Sequence, residues 1–128
     1  MHKETKKFPK KELGRKGEQL AENHLLNKGW KILERNYKCS YAEIDLIAMD
    51  AEVLVFVEVK TRSSDFFGPP EAFVSPQQEA TLFEAAMLYM DRIDHEWEIR
   101  FDIIGILFKG SSYQLKHIKD AFIPGMEG

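Results

Sequence analysis

A run of five large apolar residues, 53–57, ends in Glu58-Val59-Lys60, and this segment constrains the fold more than any other. A short run of this kind, with three valines, is typical of a β-strand that is buried on both faces. Charged side chains are costly in such a place unless they are paired or bound to a metal. Because side chains alternate along a strand, we expect Glu58 and Lys60 to project to the same side of the sheet.

A second acid, Asp45, lies thirteen residues before Glu58 in another apolar segment. If a hairpin joins the two segments and pairs Met49 with Glu52, Asp45 and Glu58 become diagonal neighbours on one face, about 7–8 Å apart. A shift of one residue in this register would move Asp45 to the other face. Two carboxylates beside the Lys60 ammonium group predict a site for a hard divalent cation.

Composition indicates one globular domain, since the 128 residues are 44 % hydrophobic. No segment approaches the roughly 18 apolar residues of a membrane span, and the N-terminus lacks the apolar segment of a secretory signal. The single cysteine, Cys39, excludes an internal disulfide and suits a reducing compartment. We therefore expect a cytoplasmic domain at 11–123, between an N-terminal arm at 1–10 and a tail at 124–128, with no membrane contact.

The net charge of −3 conceals an uneven distribution. Residues 1–16 carry seven Lys or Arg and two Glu, a balance of +5, so the remainder carries −8. A basic arm favours local phosphate contacts, whereas an acidic body opposes a polyanion along its surface. The charge pattern leaves open whether the arm binds phosphates or only aids solubility.

Hydrophobic periodicity and turn residues predict two helices and five strands. In chain order they are a helix at about Lys11–Lys28, strands at Trp30–Tyr37, Ala42–Met49 and Glu52–Thr61, a helix at Pro76–Asp91, and strands at Glu96–Phe108 and Tyr113–Ile118. Ser75 and Gln78 form a capping box that begins the second helix. The strand–helix–strand connection favours a parallel pair, so we expect a mixed sheet flanked by helices.

Five segments together resemble the YraN-like family of bacterial proteins. They are Gly14–Glu18, Glu43–Ile47, Val55–Arg62, Arg100–Asp102 and His117–Phe122. The likeness covers about residues 12–122, and the joint pattern is specific where an isolated Glu-Xaa-Lys would not be. It implies an α/β, restriction-endonuclease-like fold of the PD-(D/E)XK superfamily, related to archaeal Holliday-junction resolvases, with an αβββαβ core and an extra C-terminal strand.

The resemblance also implies a role for individual residues. Asp45 matches the first acid of the motif, Glu58 and Lys60 match its (D/E)XK part, and Glu18 matches the first-helix acid of resolvase-like members. Asp45, Glu58, the Val59 carbonyl and Glu18 would then bind Mg²⁺ or Mn²⁺, which acidifies a water for attack on a phosphodiester. Lys60 would orient that water and stabilise developing negative charge.

The activity that the resemblance implies is metal-dependent cleavage of DNA, in preference to RNA, including branched or structured DNA. The candidates for nucleic-acid contact are Arg15, Lys16, Thr61 and Arg62. The second helix departs from the family pattern, because Gln77, Gln78 and Glu79 stand where basic residues are usual. The alternative is therefore an inactive nuclease-fold module that binds nucleic acid or a protein partner. The broad apolar surface of the second helix leaves room for a homodimer.

Other polar residues receive structural interpretations. Asp102 lies in a strand pattern and faces away from its apolar neighbour, so we expect a structural hydrogen-bond role. His24 lies on the apolar stripe of the first helix and is interpreted as a packed histidine, while the sequence near His117 shows no partner. The alternative for the three charged residues at 45, 58 and 60 is a buried ion-pair cluster, although such clusters are a poor route to stability.

Overall fold

The computed structural model describes residues 10–39, 42–63, 74–96 and 98–122. These residues form α1 (Lys10–Asn27), β1 (Lys31–Cys39), β2 (Ala42–Asp50), β3 (Val53–Arg62), α2 (Pro76–Ile93), β4 (Ile99–Lys109) and β5 (Ser112–Ile118). The predicted order and type of these elements are confirmed, and their ends differ by at most three residues. Lys10, assigned to the arm, belongs to α1, and the rest of the predicted arm and the whole tail lie outside the described residues.

The five strands form one mixed sheet in the order β1-β2-β3-β4-β5. β3 and β4 are parallel, and the other three neighbouring pairs are antiparallel. The parallel pair follows from the connection through α2, because only a long crossover can join parallel neighbours. This αβββαβ arrangement, extended by β5, is the restriction-endonuclease-like architecture predicted from the sequence.

Two apolar clusters cover the two faces of the sheet. Leu54 and Phe56 of β3 belong to the cluster that includes the buried face of α2. Val55 and Val57 belong to the cluster that includes the buried face of α1. β3 is therefore buried on both faces, as its continuous apolar run predicts. Neither helix in the described part of the chain is long and apolar enough to span a membrane.

The hairpin register differs from the predicted one. Met49 pairs with Leu54, and not with Glu52, so Ala51 and Glu52 form the turn and the register shifts by two residues. Ala51 has a φ of 56°, a left-handed conformation that suits the twist of a two-residue hairpin turn. The predicted pairing was wrong because no glycine in the sequence marks this position. An even shift nevertheless keeps the side chains of 46–50, the part of β2 that pairs with β3, on their predicted face.

α1 comes very close to β3 at Gly17. A Cβ atom on Gly17 would overlap Thr61 Oγ1 and lie 3.1 Å from Thr61 Cβ. The missing side chain therefore lets the helix backbone lie directly against the end of the strand. This contact fixes the part of α1 that carries Glu18 next to the part of β3 that carries Lys60.

Candidate functional site

The candidate site lies at the fork, which we define as the point beyond Leu46 and Val57 where β2 and β3 stop pairing with each other. Past this point β2 stays paired with β1, and β3 stays paired with β4. The next residues in register are Asp45 and Glu58. Asp45 Oδ2 accepts a hydrogen bond of 2.8 Å from the backbone N–H of Val59. A carboxylate thus replaces the strand carbonyl that would otherwise bind this N–H, and it holds Asp45 at the fork.

Glu58 and Lys60 project to the same side of β3, as the alternation of the strand predicts. Lys60 Nζ lies 3.4 Å from Glu58 Oε2, and the two side chains are 16 % and 14 % exposed. This separation exceeds the roughly 2.7–2.9 Å of a strong charge-assisted hydrogen bond. The contact therefore leaves Glu58 able to accept a second cation.

Each of the two carboxylates keeps one oxygen available. Within the described part of the chain, no group hydrogen-bonds Asp45 Oδ1 or Glu58 Oε1. Fully buried side-chain oxygens and nitrogens of the described residues all have partners. Asp45 Oδ1 and Glu58 Oε1 are therefore the candidate oxygens for binding an ion.

Glu18 of α1 stands close to this pair. Its negative charge raises the pKa of both Asp45 and Glu58. Its own carboxylate is hydrogen-bonded to the side chain of Asn36, which has a φ of 50° and interrupts the pairing of β1 with β2 opposite Asp45. The irregular backbone of β1 thus helps to place Glu18.

The position of Glu18 relative to the two other acids bears on the implied metal-ligand set. Among the described residues, no three His, Cys, Asp or Glu side chains are arranged to hold a metal ion together. α1 brings Glu18 within electrostatic range of Asp45 and Glu58, and its place in the implied ligand set stays a prediction.

Burial and mutual repulsion shift the acids toward their neutral forms. Burial raises the pKa of Asp45, and the charge of Glu58 raises it further, to about 8, against the opposing hydrogen bond from Val59 N–H. Burial also raises the pKa of Glu58, although Lys60 opposes the shift. Burial likewise raises the pKa of Glu18. A divalent cation would remove this repulsion, and clustered, perturbed carboxylates of this kind are typical of functional sites.

The residues predicted to contact nucleic acid surround this cluster unevenly. Arg15 lines a cavity of about 230 Å³ together with Glu18. Arg62 ends β3, with Nη1 donating to the Thr61 carbonyl at 2.8 Å, and Thr61 itself packs against Gly17. Lys16 lies on the exposed side of α1. A role of Arg15, Lys16, Thr61 and Arg62 in binding phosphates stays a prediction.

A second polar cluster lies on the α1 face of the sheet. The Asp102 side chain is 0 % exposed and accepts hydrogen bonds from Arg100 at 2.8 and 3.0 Å, from His117 Nε2 at 2.8 Å and from the Asp120 N–H at 3.0 Å. Burial alone would raise the pKa of Asp102, but these donors outweigh burial and lower it. Its predicted structural role is confirmed.

The partner of His117 was missed by the sequence analysis. His24 Nε2 lies 3.1 Å from His117 Nδ1, although the two residues are 93 positions apart. Trp30 packs edge-on against the His117 ring, with centroids 5.4 Å apart. These contacts join α1 to β5 and, through Asp102, to β4. No local pattern in the sequence could have signalled a pairing over this distance.

The described elements define an α/β protein with the restriction-endonuclease-like arrangement, a mixed five-stranded sheet flanked by two helices. Residues 17–106 match the family described as "Uncharacterised protein family UPF0102". This chain belongs to that family, which confirms the family resemblance inferred from the sequence.

Relatives match over most of their length. A UPF0102 protein of Thermodesulfovibrio yellowstonii is 43 % identical over 111 residues, which cover 87 % of this chain and 96 % of the relative. A UPF0102 protein of Flavobacterium johnsoniae is 44 % identical over 115 residues, which cover 87 % and 94 %. Among solved structures, the chain is similar to Pyrococcus furiosus SfsA in complex with Ca²⁺, with a TM-score of 0.34 and 14 % identity over 85 % of this chain and 63 % of that chain.

Proposed function

We propose that this protein is a metal-dependent nuclease that hydrolyses DNA phosphodiester bonds at the fork. One observation carries the proposal: Asp45, Glu58 and Lys60 meet where strand pairing ends, and one oxygen of each carboxylate has no hydrogen-bond partner among the described residues. A fold stabilised for its own sake would not gather repelling acids with raised pKa values at a break in its sheet.

The donors at the fork fit Mg²⁺ or Mn²⁺. These ions prefer carboxylate and carbonyl oxygens, and Mg²⁺ usually binds one or two carboxylates and keeps several waters. Asp45 and Glu58 supply two such oxygens, and the Val59 carbonyl between Glu58 and Lys60 is a third candidate. When bound, the ion would lower the pKa of a coordinated water and offset negative charge on the phosphate.

The chain's own groups complete the chemistry. Lys60, held beside Glu58, is placed to orient the attacking water and to stabilise the charge that develops on the phosphate oxygens. Glu18 would hydrogen-bond waters beside the pair and so fix their orientation. Arg15, Lys16, Thr61 and Arg62 would supply contacts to the phosphates of the DNA.

Metal binding and cleavage test this proposal directly. We expect Asp45→Asn and Glu58→Gln to abolish Mn²⁺-dependent cleavage of branched and linear DNA while leaving the circular dichroism spectrum unchanged. Calorimetric titration of Mn²⁺ should show binding to the wild type and a large loss of affinity in Asp45→Asn. Asp91→Asn, an exposed carboxylate on α2, is the matched control and should behave as the wild type. Unchanged cleavage in both site variants would contradict the proposal.

A second candidate function is a binding module that does not cleave. The observation that favours it is the first turn of α2, where Gln77 and Gln78 face the fork without a basic residue. This module would bind nucleic acid or a protein in the presence of a chelator and cut no substrate. A salt titration distinguishes a nucleic-acid partner from a protein partner. The logarithm of the affinity for duplex DNA falls linearly with the logarithm of the salt concentration, with a slope of roughly −0.9 per neutralised phosphate. A flat response would indicate a protein partner.

Self-association also stays a prediction. Phe83, Met87 and Leu88 of α2 are 36 %, 47 % and 50 % exposed, which is unusual for large apolar side chains. Light scattering of the wild type across a range of concentrations measures whether a homodimer forms.

A further inference from the structure

A polar cavity of about 300 Å³ lies between the fork and the start of α2. Ala42, Glu43 and Glu58 form its wall on the sheet. The opposite wall consists of Ser75, Gln77, Gln78, Thr81 and Leu82. Because Glu58 belongs both to this wall and to the fork, a ligand in the cavity would lie directly beside the candidate site.

The charges around the cavity disfavour an anion. Glu43 and Glu58 supply negative charge on the sheet side, and the α2 side is uncharged. None of the described residues that line the cavity is Lys or Arg. A phosphate placed here would therefore meet repulsion and no cationic partner.

The start of α2 does not compensate for this, although helix N-termini often bind phosphate through free N–H groups. Pro76 has no N–H, and Gln78 N–H donates to Ser75 Oγ at 3.1 Å. Ser75 N–H donates in turn to Gln78 Oε1 at 3.1 Å. The capping box thus uses donors that an anion would need, and the cavity is suited to a neutral ligand.

The remaining groups suit a flat molecule with hydrogen-bonding edges. Gln77 offers an exposed amide with donors and an acceptor, and Gln78 keeps its amide N–H groups after its oxygen is used for capping. Leu82, which is 6 % exposed, adds an apolar surface. The volume equals about ten waters at roughly 30 Å³ each, which is comparable to the eight to eleven heavy atoms of a nucleobase.

We propose that this cavity binds one unpaired nucleobase of the DNA substrate, adjacent to the phosphodiester cleaved at the fork. This inference rests on the proposed function and narrows its substrate to DNA with an unpaired nucleotide. A base inside a duplex must be extruded before it can enter such a pocket, and the cost is smallest for a base that is already unpaired. Glutamine amides recognise base edges through paired hydrogen bonds, so Gln77 is the specificity-determining residue.

The test compares three DNA hairpins of one sequence: one with a single unpaired thymine, one with an abasic nucleotide at that position, and one fully paired. Fluorescence anisotropy in Ca²⁺ gives their affinities, and cleavage in Mn²⁺ is measured separately. One paired amide–base contact predicts an affinity for the unpaired thymine about tenfold higher than for the abasic hairpin.

Two cavity variants and one matched control complete the test. Thr81→Trp fills the cavity, and Gln77→Ala removes the exposed amide with little effect on packing, so both should reduce the tenfold preference to less than about twofold. Asp91→Trp places the same ring on an exposed position of α2 outside the cavity and should keep the preference. Mn²⁺ titration should be unchanged in all three, because none of them alters a carboxylate of the fork.

The outcomes separate the cavity from the fork. Equal affinity of the wild type for the thymine and abasic hairpins, or a preference that survives in both cavity variants, overturns the nucleobase inference even if metal-dependent cleavage persists. Failure of the wild type to bind or cleave any of the three hairpins overturns it together with the proposed function.

Discussion

Replacing Asp45 with Asn tests the electrostatics of the fork without any substrate. Burial and the charge of Glu58 raise the pKa of Asp45 from 3.8 to about 8. Between these two values the folded protein holds a proton that the unfolded chain releases, so the free energy of unfolding decreases as the pH rises. One such group changes the free energy of unfolding by at most about 1.4 kcal/mol per pH unit. Between about pH 5.5 and about pH 7.5, the metal-free wild type should therefore lose roughly 2–3 kcal/mol of stability.

Asn removes the charge and preserves the local structure, because its amide oxygen can still accept the hydrogen bond from Val59 N–H. Because the destabilisation of the wild type accumulates from pH 3.8 upward, we expect Asp45→Asn to be more stable than the wild type by roughly 5 kcal/mol at about pH 7.5, with a flatter pH profile. Urea denaturation in a chelator, followed by circular dichroism across this pH range, measures both quantities. Asp91→Asn should reproduce the wild-type profile. Parallel profiles for wild type and Asp45→Asn would refute the assignment of a raised pKa to this carboxylate.

Adding the cation should narrow the difference in stability between the two proteins. Mn²⁺ at a hundred times its dissociation constant stabilises a folded state that binds it by about 2.7 kcal/mol. The wild type should gain this amount, whereas Asp45→Asn should gain much less because it lacks one of the two ligands. A functional site that destabilises the metal-free fold is the expected cost of gathering like charges.

Three further substitutions probe other contacts. Gly17→Ala should lower the free energy of unfolding by about 1–3 kcal/mol because the new methyl overlaps Thr61, and adding Thr61→Ala should restore part of the loss in the same urea assay. Asp102→Asn should lower the free energy of unfolding by about 3–5 kcal/mol at neutral pH, because it removes the negative charge of a buried ion pair and leaves the Arg100 charge behind. In the wild type the pKa of Asp102 is lowered, so its ionised carboxylate stabilises the folded state at pH values above the unfolded pKa of about 3.9. This stabilisation is lost as the pH falls through the folded pKa. Acid denaturation measures the loss. Lys60→Met should reduce single-turnover cleavage about 10²–10³-fold while calorimetry shows Mn²⁺ affinity retained or increased; an unchanged rate would remove Lys60 from the chemistry.

Local patterns in the sequence determined the elements and several of their ends. The apolar run before Glu58 predicted a strand buried on both faces, and Leu54 and Val55 lie in different cores. Ser75 and Gln78 predicted the start of α2, and both capping hydrogen bonds are present. Alternation along β3 placed Glu58 and Lys60 on one side. Each of these features depends on residues a few positions apart, and such short-range periodicity is written directly in the chain.

The tertiary structure alone decided how distant segments meet. It set the hairpin register, which an uncommon left-handed Ala51 shifted by two residues, and it ended the pairing of β2 and β3 where Asp45 takes the N–H of Val59. It also brought Glu18 within electrostatic range of Asp45 and Glu58 and joined His24 to a partner 93 residues away. The physical reason is that these contacts are selected by packing and hydrogen bonding between whole elements. Side-chain alternation along a strand is preserved under any even shift of register, so the sequence specified which face carries the acids, whereas only the folded sheet specified where on that face they meet.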